Sequence, residues 1–189
     1  RYFSTDKSGN NEKEFLNDVF PDKRSLSKAI FLKGYQWPFD PRKISSYGSS
    51  LIDLLVYRER TELNRRVFID FTRNPSWGGN DKFIPDDLDD EVYDYLSNSD
   101  SFAETPVKRL QAMNPASIAL YKDNGIDLTK EPLEIAVCAQ HNNGGLKGDI
   151  WWESDLKHLF PVGEVNGSHG VYRPGGSALN SGQVGSRRA

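Results

Sequence analysis

Residues 159–189 read LFPVGEVNGSHGVYRPGGSALNSGQVGSRRA, and the order of residue types in this stretch decides how the rest of the chain is placed. A short apolar run, residues 159–162, leads into Gly163 and Glu164, a glycine-rich loop, Arg173, and a helix start near Ser177. Glycine has no Cβ, so a loop of this composition lets backbone N–H groups approach a flat or phosphorylated ligand closely. A helix leaving such a loop turns the positive end of its dipole back toward whatever the loop holds. Gly and Ser are linker residues as well, but a linker needs neither an apolar strand entering it nor a helix leaving it. The stretch predicts one wall of a site, made of strand, loop and helix.

Working back from it, residues 133–139 (LEIAVCA) form a nearly continuous apolar run of strand length, and residues 150–152 are apolar too. The polar, glycine-rich turn QHNNGGLKGD joins them. With residues 159–162 these predict three strands, and Cys138 inside the first is a small buried hydrophobe. Residues 50–63 place Leu51, Ile52, Leu55, Val56 and Leu63 on one helical face. Residues 65–71 (RRVFIDF) alternate Val67, Ile69 and Phe71 with more polar neighbours and predict a strand.

Further helices are expected over residues 12–20, over 25–32 with Ser25 as N-cap, and over 86–97 with Leu88, Val92, Tyr93 and Leu96 inward. The acidic run at 86–91 fits a solvated first helical turn better than a cation site. Thr105-Pro106 and Asn114-Pro115 each put a capping residue before a proline at the first helical position, and Asn124-Gly125 is a stop signal. Residues 1–11 are polar and read as loop, and 74–81 are turn-rich. The fold class is α+β, helices packed on a small sheet.

Composition limits the function. The 189 residues are 37% hydrophobic and 27% charged, with a net charge of −3 that gives no general reason to bind nucleic acid or an anionic membrane. No apolar run approaches the roughly 20 residues that span a bilayer. One cysteine excludes an internal disulfide and fits a reducing compartment such as the cytoplasm. His141, His158 and His169 fit no zinc spacing, so no metal site is expected.

The C-terminal stretch resembles the glycine-rich segment near the end of the FAD-binding domain in the succinate dehydrogenase and fumarate reductase flavoprotein family. That family pattern is a strand ending in "GE", then "HGANRLGGNSL" leading into a helix. Gly163-Glu164 is similar to the first part, and residues 169–179 (HGVYRPGGSAL) follow the second almost position by position. The loop Gln140-His141-Asn142-Asn143-Gly144-Gly145-Leu146 resembles the family's "HYTMGGI" segment in its Gly-Gly-Leu half; the usual histidine position holds Gln140, and His141 sits one place later. The helix and strand at 50–71 resemble the family's capping domain more distantly.

The resemblance implies an FAD-dependent oxidoreductase moving a hydride between flavin and a small, carboxylate-bearing substrate. It implies Arg173 and His141 as the substrate-side catalytic residues, a guanidinium being suited to grip both carboxylate oxygens. Glu164, Gly163, Gly175, Gly176, Ser177, Ala178 and Leu179 are implied at the cofactor, where the helix start would stabilise negative charge on the flavin. Residues 1–131 then correspond to a capping-like region and 132–189 to the returning part of the FAD-binding domain. No G-x-G-x-x-G follows a strand, so the dinucleotide fingerprint that family members carry near their N-terminus is missing. The expectation is a piece of a larger enzyme whose partner is its own missing FAD-binding half, and which alone holds FAD weakly or not at all. The L-aspartate oxidase and adenylylsulfate reductase branches, and a non-catalytic binding module, are the alternatives.

Overall fold

The computed structural model describes residues 1–36, 39–138, 145–167 and 177–189. They divide into two compact units, one of Arg1–Trp37 with Ile44–Val137, the other of Pro38–Lys43 with Cys138–Ala189.

In the first unit the sheet grows from β2. Strand β1 (Tyr2–Thr5) pairs antiparallel with one side of β2 (Arg66–Ile69), and β3 (Leu133–Ile135) pairs antiparallel with the other, giving the order β1-β2-β3. The register sets Phe3 opposite Phe68 and Val67 opposite Ile135. Side chains alternate along a strand, so Tyr2, Val67 and Ile135 share the face turned to the core. Phe3 and Phe68 stack on the opposite face, ring centroids 5.1 Å apart. There Arg60 and Arg66 both reach Glu134, each at 2.7 Å.

Helix α1 (Lys23–Tyr35) and helix α2 (Ser50–Tyr57) close over the core face. Phe15, Leu16, Phe20, Leu26, Ala29, Ile52, Val56 and Val67 form one buried cluster. After α2 the chain takes one π-helical turn, Arg58–Glu62, which turns Glu59 inward. A buried carboxylate is costly unless it is bonded. Glu59 accepts from Ser4 Oγ at 2.6 Å and pairs with Arg65 at 3.2 Å, so the turn is tied to β1.

Helix α3 (Asp90–Asn98), with Leu88 just ahead of it, supplies a second cluster of Leu88, Val92 and Leu96, packed with Phe31 and Phe83. The acidic run before and inside α3 meets the basic side of α1, pairing Asp87 with Lys23 at 2.9 Å, Asp89 with Lys28 at 3.1 Å and Asp90 with Arg24 at 2.6 Å. Helices α4 (Pro106–Met113) and α5 (Pro115–Asp123) begin at the prolines that predicted them. Gly125 ends α5 with φ +85°, the left-handed conformation favouring glycine. The α+β class, helices on a small sheet, is what forms.

Four local expectations are corrected here. Residues 2–5 are a strand and not loop: a window dominated by Ser, Asn, Asp and Lys hides YFST, which β2 recruits into the ladder. Arg1 ahead of it is buried, its guanidinium held by Glu12, Glu14 and Asp70. Ser25 is not the cap of α1, because Asp22 takes that place and its carboxylate accepts from Ser25 N at 2.7 Å. The strand expected over 133–139 stops at Ile135, where pairing with Val67 of β2 ends. Cys138, beyond that pairing, is exposed instead of buried.

Candidate functional site

In the second unit, Gly163 has φ +75°, a backbone conformation that strains any residue with a Cβ. It opens a 3-10 turn, Gly163–Asn166, closed where Gly167 N donates to Glu164 O at 2.9 Å with Gly167 itself at φ +67°. Glu164 sits exposed in this turn. The segment Gly145-Leu146 lies against the turn: Leu146 N donates to Val165 O at 2.9 Å, and Asn166 Nδ2 donates to Leu146 O at 3.1 Å. A Cβ at Gly145 would overlap the Val165 carbonyl, so the approach depends on glycine there. Gly145-Leu146 of one predicted loop thus meets Val165-Asn166, directly after the Gly-Glu of the other.

Helix α6 (Ser177–Arg188) starts at the residue the sequence predicted and packs on the same turn. The helix presents two glycines to its neighbours. A Cβ at Gly182 would stand 3.5 Å from Gly163 Cα, in ordinary contact. Gly185 is buried under the Trp152 indole, whose ring atoms a Cβ would meet at 2.5 Å. Trp152 is presented by a tight turn in which Asp149 Oδ1 accepts from Trp151 N at 2.8 Å and Glu153 N at 3.0 Å. Arg188 closes the far end, donating to Ile150 O at 3.2 Å. The first turn of α6 carries no acidic residue, while Arg187 and Arg188 stand in the last. The positive pole at Ser177 is left without a carboxylate on its own helix, the arrangement that favours an anionic or electron-rich ligand.

Among the residues expected at a site, Gly163 and Glu164 stand in this turn, the helix that begins with Ser177 packs on it through Gly182, and Leu179 is 74% exposed. His141, Arg173, Gly175 and Gly176 lie outside the described residues. Two of the expected strands are corrected. Residues 150–152 form the turn that holds Trp152, with Trp152 at φ +67°, and residues 159–162 are not a strand. An apolar run becomes a strand only with a ladder partner, and no strand in the described residues of this unit offers one. Sequence reasoning passed over Trp152, Asn166, Gly182 and Gly185. The signal for the last two was present, because two glycines three apart inside a helix each cost about 1 kcal/mol against alanine and call for a packing reason.

No family model matches the chain, and no solved structure matches it. The chain is 41% identical over 96 residues to one component of the CoM/CoB fumarate reductase of Methanothermobacter marburgensis, a match covering 50% of this chain and 17% of that protein. It is 38% identical over 91 residues to an uncharacterized FAD-dependent oxidoreductase of Methanocaldococcus jannaschii, covering 48% and 16%. An L-aspartate oxidase of Vibrio cholerae is 34% identical over 76 residues, covering 39% and 14%. Over 39–50% of its length this chain is similar to these three relatives, which are flavin oxidoreductases of the succinate dehydrogenase and fumarate reductase kind.

These matches span no more than 17% of each of the three relatives. Among the described residues no helix is long and apolar enough to cross a membrane, and no cluster of His, Cys, Asp and Glu is arranged to hold a metal.

Proposed function

We propose that the protein to which this chain belongs is an FAD-dependent oxidoreductase transferring a hydride between the flavin and a small carboxylate-bearing substrate. The observation that carries the reading is the junction of Gly145-Leu146, the Gly163–Asn166 turn and helix α6. The segments that resemble the family's substrate loop and its cofactor loop are in contact through Leu146 and Val165. The donor set fits a flavin: an exposed carboxylate at Glu164, glycine backbone without side chains in the way, and a helix with no acidic residue in its first turn.

FAD, when bound, supplies the hydride chemistry. Glu164 offers it an acceptor, and the N–H groups opening α6 at 177–179 supply fixed positive dipole to its electron-rich edge. Arg173 grips the substrate carboxylate through its planar fork, and His141 donates beside it. Residues 1–131 act as a capping region and residues 132–189 as the returning part of the FAD-binding domain.

The test is turnover by the whole protein with fumarate, succinate and L-aspartate. Arg173→Lys keeps the charge and loses the fork, so kcat/KM falls roughly 10- to 150-fold if a charged hydrogen bond of about 1.5–3 kcal/mol is lost. Glu164→Gln weakens FAD retention. An Arg173→Lys enzyme with unaltered kcat/KM on a carboxylate substrate overturns the assignment. For residues 1–189 alone, the expectation is no stoichiometric flavin on purification.

A further inference from the structure

The first unit contains a cavity of about 360 Å³ that none of this uses. It lies between β1, β2, α1, α3 and α4, and its walls include Phe31, Phe71, Phe83, Leu96, Leu110 and Met113. An apolar cavity of about 150 Å³ already takes up benzene, and small-molecule sites span about 300–1,000 Å³. The space is therefore that of a small ligand with an apolar body.

Its charged lining residues are not equivalent. Arg1 is committed to Glu12, Glu14 and Asp70, Asp70 also accepts from Thr72, Lys23 pairs with Asp87, and Lys82 is exposed. Arg109 has no carboxylate within ion-pairing distance among the described residues. Its guanidinium lies over the Phe83 ring at 4.4 Å. Nη1 donates to Ala103 O and Nη2 to Asn74 Oδ1, both at 2.6 Å. The Asn74 amide is itself fixed by donating to Glu104 O at 2.9 Å. A guanidinium has five N–H donors, so three remain on a fork whose orientation is already set. Burial without an acidic partner also lowers the Arg109 pKa to about 10. It stays cationic at neutral pH, and an anion beside it would offset that cost.

We infer that this cavity binds a small apolar carboxylate, its aromatic or branched body among Phe31, Phe83 and Leu96 and its carboxylate on the Arg109 fork.

The probes are 3-phenylpropionate and its neutral isostere 3-phenylpropanamide, titrated calorimetrically into the protein. The acid is expected to bind saturably and at least tenfold tighter than the amide. Arg109→Met is expected to remove that preference. Because that change also takes away the Asn74 contact, Gly34→Phe serves as a second variant. Gly34 lines the cavity and is exposed at its mouth, and a Cβ built there meets no atom within 4 Å, so a ring crowds the opening without displacing the core. With circular dichroism unchanged, Gly34→Phe is expected to weaken the acid at least tenfold. No saturable binding of the acid, equal affinity for acid and amide, or unaltered affinity in Gly34→Phe would overturn the inference.

Discussion

Helix α6 carries two glycines that the geometry treats differently, and substituting each with alanine separates packing from helix propensity. Gly→Ala inside a helix is favourable by about 1 kcal/mol. At Gly182 the new methyl meets only Gly163 Cα at 3.5 Å, so Gly182→Ala should keep most of that gain. At Gly185 the methyl would come within 2.5 Å of the Trp152 ring, against an optimum of about 3.5–4.0 Å between carbons. Either the indole or the helix must move, and overpacking of this kind costs about 1–3 kcal/mol. The propensity term is common to both variants and cancels in their difference. Gly185→Ala should therefore be less stable than Gly182→Ala by about 1–3 kcal/mol.

Amide hydrogen exchange in α6 is the appropriate assay, since it reports opening of this helix without requiring the two units to unfold together. The expected protection is roughly 5- to 150-fold lower in Gly185→Ala than in Gly182→Ala. Adding Trp152→Ala should remove most of the gap, because the clash has lost its partner. Equal protection in the two single variants would refute the reasoning. It would mean that Trp152 does not seat α6 on the Gly163–Asn166 turn.

Three further outcomes follow from the first unit. Leu26→Ala, at a side chain 1% exposed in the main cluster, should cost about 2–5 kcal/mol in urea unfolding followed at that unit. Asp22→Ala should cost about 0.5–2 kcal/mol by releasing Ser25 N at the start of α1, whereas Asp22→Asn should restore most of it. Asp127 is held at about 2 by the Thr129 hydroxyl, and then by Lys130 and Thr129 N. A depressed carboxyl stabilises the fold above its unfolded value of 3.8 and loses that contribution as pH falls toward about 2. Carbon-detected titration should show this, and Thr129→Val should move the Asp127 midpoint upward.

Much of the first unit was legible because its signals are local. Pro106 and Pro115 after capping residues marked α4 and α5, and the 3.6-residue spacing of Leu51, Ile52, Leu55 and Val56 marked α2. What escaped was decided by partners distant in sequence. Tyr2–Thr5 is a strand because Arg66–Ile69 lies beside it, and no reading of a polar N-terminal window contains that fact. The π-helical turn at Arg58–Glu62 escaped for the same reason. It is fixed by Glu59 reaching Ser4 and Arg65, a contact 55 residues away for the first of them.

The site shows the opposite failure. The residue order placed a helix start near Ser177, where α6 begins, but two of the three expected strands, residues 150–152 and 159–162, fall where the second unit forms turn and irregular backbone. Residues 150–152 and 159–162 are apolar enough for strands, yet apolar sequence supplies only a preference, and the ladder must come from a neighbour. The unit instead fixes its turn with glycines and one tryptophan. Gly145 admits the Val165 carbonyl, Gly163 takes the left-handed backbone, and Gly185 admits Trp152. Three glycines with three separate steric reasons, in a stretch whose composition also fits a linker, argue for a specified geometry. A linker would tolerate alanine at all three, and this fold does not.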